Sequence, residues 1–277
     1  MAAVSVPGVP LCWLLLATST FTHVTAADEP QQPASAGGKR RYTDPAYWEE
    51  TYKKDGSKST YEWFLDSDVF LALMQPYLQL DSRVLQLGCG NSNLAAVMAA
   101  ANFTDVTSVD ISPSVIAANV EKYPPETFPA LHFVVGDVFA MKDFAEASFD
   151  VAVDKGTWDA IPKTKSRNML REVRRVLKPQ GLYLVLTFSR PPNALDFLLD
   201  WRVGWKVEDF IAVPNPRSSL TSESMKNFYL YLCRNEDRPS DWVPQGKFSS
   251  PEVLPAIEQA LEFQKLTRQL SGQHQEL

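Results

Sequence analysis

The chain has 277 residues, 45% hydrophobic and 22% charged, with a formal net charge of −6. This length holds one large α/β domain with tails, or at most two small domains, and the apolar fraction supports a sizeable core. The acidic balance argues against a nucleic-acid partner, though it leaves room for a local basic groove, and it suits a cationic partner such as a lysine-bearing protein. Three cysteines (Cys12, Cys89, Cys233) and three histidines (His23, His132, His274) are scattered without ligand spacing. Neither a metal, a disulfide framework nor a histidine-centred site is therefore expected.

In chain order, residues 1–26 stand apart from the fold. Leu11–Ala17 is an apolar run followed by small residues at Thr25-Ala26-Ala27, with no Lys or Arg before Lys39. This is the pattern of a secretory signal, too short for a membrane span and too poor in arginine for a mitochondrial leader. Residues 27–41, rich in Pro, Gln, Ala, Ser and Gly, read as a flexible linker. The last four residues, His274 to Leu277, are similar to endoplasmic-reticulum retrieval tails. Together the two ends predict the endoplasmic-reticulum lumen, with no membrane span left in the mature chain. Asn102-Phe-Thr104 is a formal glycosylation acceptor that also reads as a loop asparagine.

Two aromatic-rich segments, Tyr47–Tyr52 and Tyr61–Phe64, open the folded part. Asp66–Leu80 carries Val69, Leu73, Met74 and Leu78 at helical spacing. Arg83–Leu87 is a short apolar strand that runs into the glycine turn Gly88-Cys-Gly90, and a helix is predicted over Asn91–Ala101. Val106–Val109 is the second strand and ends in Asp110. Ser112-Pro113 is a helix start, with serine as N-cap and proline in the first turn, and that helix runs to about Tyr123. Leu131–Val135 and Phe149–Val153 are the third and fourth strands, closed by Gly136-Asp137 and Asp154. A helix over Asn168–Leu177 is stopped by Pro179-Gln-Gly181, and Leu182–Phe188 is the fifth strand. Trp205–Ile211 and Phe228–Leu232 are late strands, and Pro251–Leu270 a C-terminal helix.

Strands alternating with helices imply an α/β, doubly wound, mostly parallel sheet with helices on both faces. Ligands of such sheets bind beyond the carboxyl ends of the strands. Gly88, Asp110, Asp137 and Asp154 fall at four successive strand ends and should converge on one crevice. Glycines admit a ligand close to the backbone, and an acid about 20 residues on receives ribose hydroxyls. A dinucleotide would need a third glycine and a diphosphate seat, but Asn93 stands at that third position. S-adenosylmethionine carries no phosphate. It needs the glycine turn (Gly88, Gly90), an acid on the ribose (Asp110) and an acid at the adenine amine (Asp137, with the Val138 N–H), and this reading accounts for both acids.

Leu87-Gly-Cys-Gly-Asn-Ser92, Val109-Asp-Ile-Ser112 and Asp154-Lys-Gly-Thr-Trp-Asp-Ala160 together resemble the class I, seven-strand, Rossmann-like methyltransferases that modify protein lysines. The resemblance extends to the mitochondrial citrate synthase lysine methyltransferase and the elongation factor 1-alpha lysine methyltransferases. It covers roughly residues 47–232 and implies a methyltransferase domain over 42–235, with 236–277 a C-terminal extension. It further implies that Trp48, Tyr52 and Trp63 close over the cofactor, that Ile111 flanks the adenine and that Lys155 lines the pocket. A protein bearing a target lysine would be the partner, and the mitochondrion the alternative compartment. Trp158 and Phe188 are candidate walls of a substrate channel, and Asp154 or Asp159 a candidate to orient the amine. Two other readings share the cofactor half: a small-molecule methyltransferase, and a non-catalytic S-adenosylmethionine-binding module.

Overall fold

The computed structural model describes residues 41–55, 59–200, 202–216 and 226–236. The signal-like segment, residues 27–40 of the linker, the 251–270 helix and the C-terminal tail lie outside the described residues.

Seven strands form one sheet in the order β3-β2-β1-β4-β5-β7-β6. They are β1 (Arg83–Leu87), β2 (Asp105–Asp110), β3 (Leu131–Val135), β4 (Phe149–Lys155), β5 (Leu177–Thr187), β6 (Lys206–Pro214) and β7 (Asn227–Arg234). The first five pair in parallel, while β7 inserts antiparallel between β5 and β6. The α-helices among the described residues are α1 (Pro45–Asp55), α2 (Ser67–Met74), α3 (Leu94–Ala100), α4 (Pro113–Lys122), α5 (Ser166–Val176) and α6 (Pro191–Leu198). None of the described helices is long and apolar enough to cross a membrane.

Alternation along each strand divides the core into two layers, because successive side chains leave a strand on opposite faces. Val84, Val151, Val153, Leu182 and Leu184 pack with α2 and α3, whereas Leu85, Leu87, Ala152, Tyr183 and Val185 pack with α5 and α6. In α5 the fully buried Met169, Leu170, Val173 and Val176 form one stripe. Each contributes about 1.5–3 kcal/mol through burial. The chain leaves β1 outward through β2 and β3, then returns to β4 on the other side of β1. The reversal opens a crevice at the carboxyl ends.

Several boundaries differ from the sequence expectation. The first predicted helix ends at Met74 and tightens into a short 3-10 turn, Gln75–Tyr77. Pro76 has no N–H to continue an α-helical ladder. The fourth helix stops at Val176, before the Pro179-Gln-Gly181 signal. Leu177 already pairs with Phe149, and regular pairing resumes at Val151–Leu182, so that signal forms a bulge inside β5. Helix α1 falls in the aromatic-rich segment and α6 follows the fifth strand, where no element was assigned; each begins with a proline in its first turn, Pro45 and Pro191. Asn102 has φ +68 and ends α3, with the Phe103 N–H on the Met98 carbonyl and the Asn102 N–H on Ala99. That is a Schellman closure, in which asparagine takes the place of the usual glycine.

Candidate active site

A cavity of about 320 Å³ lies over the carboxyl ends of the central strands. Its floor is the glycine turn. Gly88 and Gly90 have φ +55 and +50, the left-handed region that side chains disfavour. A Cβ on Gly88 would lie 2.7 Å from the Thr157 methyl, and one on Gly90 2.6 Å from the Tyr52 hydroxyl. The turn is tied to β2 on both edges: the Cys89 N–H reaches the Val109 carbonyl at 3.1 Å, and the Gly90 N–H reaches Asp110 Oδ2 at 2.8 Å.

Asp110 is 6% exposed, and its other oxygen accepts the Ser112 N–H at 2.9 Å. Burial pushes its carboxyl up, opposed by the amides of Ser112, Gly90 and Ile111. Ile111, partly exposed, lines the cavity beside it. Asp137 and Val138 line the next strand end, where Asp137 accepts the Phe139 N–H at 2.9 Å.

The roof comes from the segment before the sheet. Trp48 and Tyr52 stack at 6.0 Å on one face of α1, Trp63 meets Trp48 edge-on at 6.2 Å, and all three line the cavity. Glu49 docks α1 onto the start of α4, accepting from the hydroxyls of Ser112 and Ser114. These bonds hold its carboxyl down at about 2. Phe64 has φ +63, a conformation costly for a bulky residue, and its ring packs edge-on against Phe188 at 4.7 Å in the cavity wall. The ten expected cofactor residues (Trp48, Tyr52, Trp63, Gly88, Gly90, Asp110, Ile111, Asp137, Val138 and Lys155), and Phe188 with them, thus share one cavity.

Two expected residues do not line it. Trp158 is fully buried, its ring edge-on to Phe197 at 6.1 Å. Asp154 is fully buried below the floor. There it caps the following loop, accepting the Thr157 N–H at 2.8 Å, the Trp158 N–H and the Tyr183 hydroxyl at 2.9 Å. The cause is the 3-10 turn Trp158–Ala160, which points Trp158 into the core and its neighbour Asp159 towards the cavity. Asp159 Oδ1 accepts the Thr187 hydroxyl at 2.8 Å, while Oδ2 is buried without a partner among the described residues. Burial pushes Asp159 up to about 6, against the pull of Thr187 and of Lys163.

Glu62 was not anticipated. One carboxylate receives the Ser92 hydroxyl, the Asn93 N–H at 2.8 Å and the Lys155 ammonium. The turn, the start of α3 and the end of β4 therefore close on a residue of the aromatic segment. The only visible signal was an acid inside Tyr61–Phe64, with no periodicity to place it.

The lining chemistry tests the cofactor. Three carboxylates, Asp110, Asp137 and Asp159, face the cavity, and Lys155 is the one basic residue among its described lining. Since Lys155 is already paired with Glu62, a diphosphate would meet uncompensated negative charge. A nucleoside carrying a positive sulfonium fits this lining. No group of His, Cys, Asp and Glu that could hold a metal occurs among the described residues.

Comparison with known proteins agrees. A family profile described as "Methyltransferase domain" matches residues 79–237. The "EEF1A lysine methyltransferase 4" of Mus musculus is 36% identical over 180 residues, 60% of this chain and 69% of the relative. Its Bos taurus counterpart is 35% identical over 195 residues, 66% and 74%. The chain also matches 25% of the length of the Drosophila melanogaster "eEF1A lysine and N-terminal methyltransferase homolog", at 32% identity over 59% of itself. Among solved structures, a Burkholderia thailandensis 1,6-didemethyltoxoflavin-N1-methyltransferase with bound S-adenosylhomocysteine superposes with a TM-score of 0.52. It is 17% identical and covers 71% of this chain and 87% of that one. The [4+2]-cyclase SpnF has the same TM-score at 14% identity, covering 72% and 94%. That last likeness shows that the fold alone does not choose the reaction.

Fold, cavity and profile define an S-adenosylmethionine-dependent methyltransferase of class I. Within that class the relatives are specific, and the chain belongs to the protein-lysine methyltransferase family.

Proposed function

We propose that this chain methylates the ε-amine of a lysine side chain in a protein, with Asp159 positioning the amine. The observation that carries this reading is Asp159 in the cavity lining, its second oxygen without a hydrogen-bond partner among the described residues. Its spare acceptor capacity suits a donor arriving in the cavity, once a small turn of the side chain exposes it.

The bound cofactor supplies a methyl group already activated by a sulfonium, so the residues have to align the acceptor and exclude water. A lysine ammonium entering past Phe64 and Phe188 is desolvated, and its pKa falls. It gives its proton to solvent at the mouth. The neutral amine then donates one N–H to Asp159 Oδ2 and presents its lone pair for in-line attack. Held over Gly88 and Gly90, the sulfonium would supply the methyl to that lone pair and would keep the electron pair of the bond it loses. The aromatic faces also stabilise the methylated ammonium that results.

Elongation factor 1-alpha, the substrate in the names of the relatives, is the first acceptor to test. Radiolabelled methyl transfer to that protein and to a cell extract should label a protein band whose modified residue is lysine. Label confined to small molecules, or cofactor binding without transfer, would overturn the proposal.

A further inference from the structure

One side of the cavity mouth is cationic. After Asp159 the chain follows the cavity through Ala160, Ile161 and Pro162, then turns through Lys163–Lys165 into α5. Lys163 and Lys165 are exposed, and neither forms an ion pair among the described residues. Each ammonium lies over aromatic rings instead. Lys163 Nζ is 5.0 Å from the Trp158 centroid and 5.7 Å from that of Phe197. Lys165 Nζ is 5.3 Å from Phe139, itself a lining residue. Arg167 follows, but its guanidinium is committed to Asp200.

Local electrostatics explain this arrangement only in part, since Lys163 acts on Asp159 and the rings hold both ammoniums, yet no acid pairs with either. The first turn of α5 holds no acid, and cations there face the positive end of the helix dipole. Nor does composition force it, since the chain carries a net charge of −6. Two exposed cations held by rings rather than by acids stay available to an acidic partner. The rings fix the lysine stems and hold two unpaired ammoniums beside the route an acceptor must take.

We propose that Lys163 and Lys165 form a rim that reads acidic side chains, so that the protein substrate presents Asp or Glu next to its target lysine. This rests on the lysine-acceptor reading. Charge pairs at an exposed rim are individually weak and act on encounter and KM, so two of them give a preference of about 5- to 20-fold.

The test measures initial rates of the full chain on synthetic peptides with a central lysine flanked by Glu, Ser or Lys. The Glu-flanked peptide should exceed the Ser-flanked one by about 5- to 20-fold in kcat/KM, mainly through KM. The gap should shrink between about 0.05 M and 0.5 M salt. K163E/K165E should reverse the order in favour of the Lys-flanked peptide, and K163R/K165R should keep it, with S-adenosylmethionine affinity as the fold control. Equal rates on Glu and Ser peptides, or a preference untouched by K163E/K165E, overturns the rim. Inhibition by a short oligonucleotide without any peptide preference assigns the rim to nucleic acid and overturns it too. No transfer to any peptide while the cofactor binds overturns the lysine reading itself, and the rim with it.

Discussion

Glu62 and Lys155, 93 residues apart in the chain, meet as an ion pair whose side chains are only 13% and 5% exposed. Lys155 also donates to the Leu65 carbonyl at 3.2 Å. The pair joins the segment that roofs the cavity to the strand that floors it.

Removing one partner of such a pair leaves the other charge buried. Lys155→Met and Glu62→Gln should each destabilise the fold by about 3–5 kcal/mol, and the double variant by less than the sum. Denaturant unfolding of the four proteins checks this. Additive losses would show that the two side chains do not interact.

Asp154 should prove structural. Asp154→Ala leaves the Thr157 and Trp158 N–H groups and the Tyr183 hydroxyl unpaired, a loss of about 3 kcal/mol or more. Asp154→Asn keeps an acceptor for the amides and lets the Tyr183 hydroxyl turn to accept. Burial pushes Asp154 up to about 7 from 3.8, so its ionisation opposes folding. Its contribution is fully present below about pH 4 and is lost as pH rises towards 7. Melting temperatures at pH 5 and 8 should therefore differ less in Asp154→Asn than in the parent.

Asp110 holds the Gly90 and Ser112 amides, and the sequence reading also expects it to receive the cofactor ribose. Asp110→Ala should weaken S-adenosylmethionine binding by about 100-fold, through lost charge-assisted hydrogen bonds and a loosened turn. Calorimetry decides it, and unchanged affinity would refute the ribose role.

Gly88→Ala should act through the backbone. A Cβ at φ +55 meets the Thr157 side chain, which is held by its 2.8 Å bond to the Leu87 carbonyl. Strain and clash together cost about 2–4 kcal/mol. Cofactor affinity should fall with stability. A variant of parental melting temperature and affinity would show the approach to be less tight than its geometry.

Asp159 predicts a pH signature. Its carboxyl, near 6, stops accepting the amine N–H as pH falls through that value. The acceptor must also lose a proton, so log rate should rise with a slope of about two below pH 6 and about one above it. In Asp159→Asn, kcat should drop by about 10- to 100-fold with cofactor affinity kept, and the steeper limb should vanish. A two-proton limb surviving in that variant would remove Asp159 from the mechanism.

Much of this was legible one residue at a time. Arg83–Leu87 and Leu131–Val135 match β1 and β3 at both ends, since short β-branched and apolar runs bounded by polar or glycine residues have no competing structure. Ser112 caps α4 as its Ser-Pro pair predicts, its hydroxyl accepting the Val115 N–H. Glu62, Glu49 and Phe64 were hidden, because their partners lie tens of residues away and their own segments carry no period. Trp158 and Asp159 show the same gap at closer range, since a single 3-10 turn decides which of two neighbours enters the core.

Alternating apolar runs and strand-end acids are local and covalently ordered, so the primary structure alone determined the parallel sheet, the place of its crevice and the nucleoside expected there. Which distant acid ties the roof to the floor, which neighbour turns inward and where lysines gather on aromatic rings depend on packing between distant segments. Only the tertiary structure decided those, because burial and pairing are properties of neighbours in space.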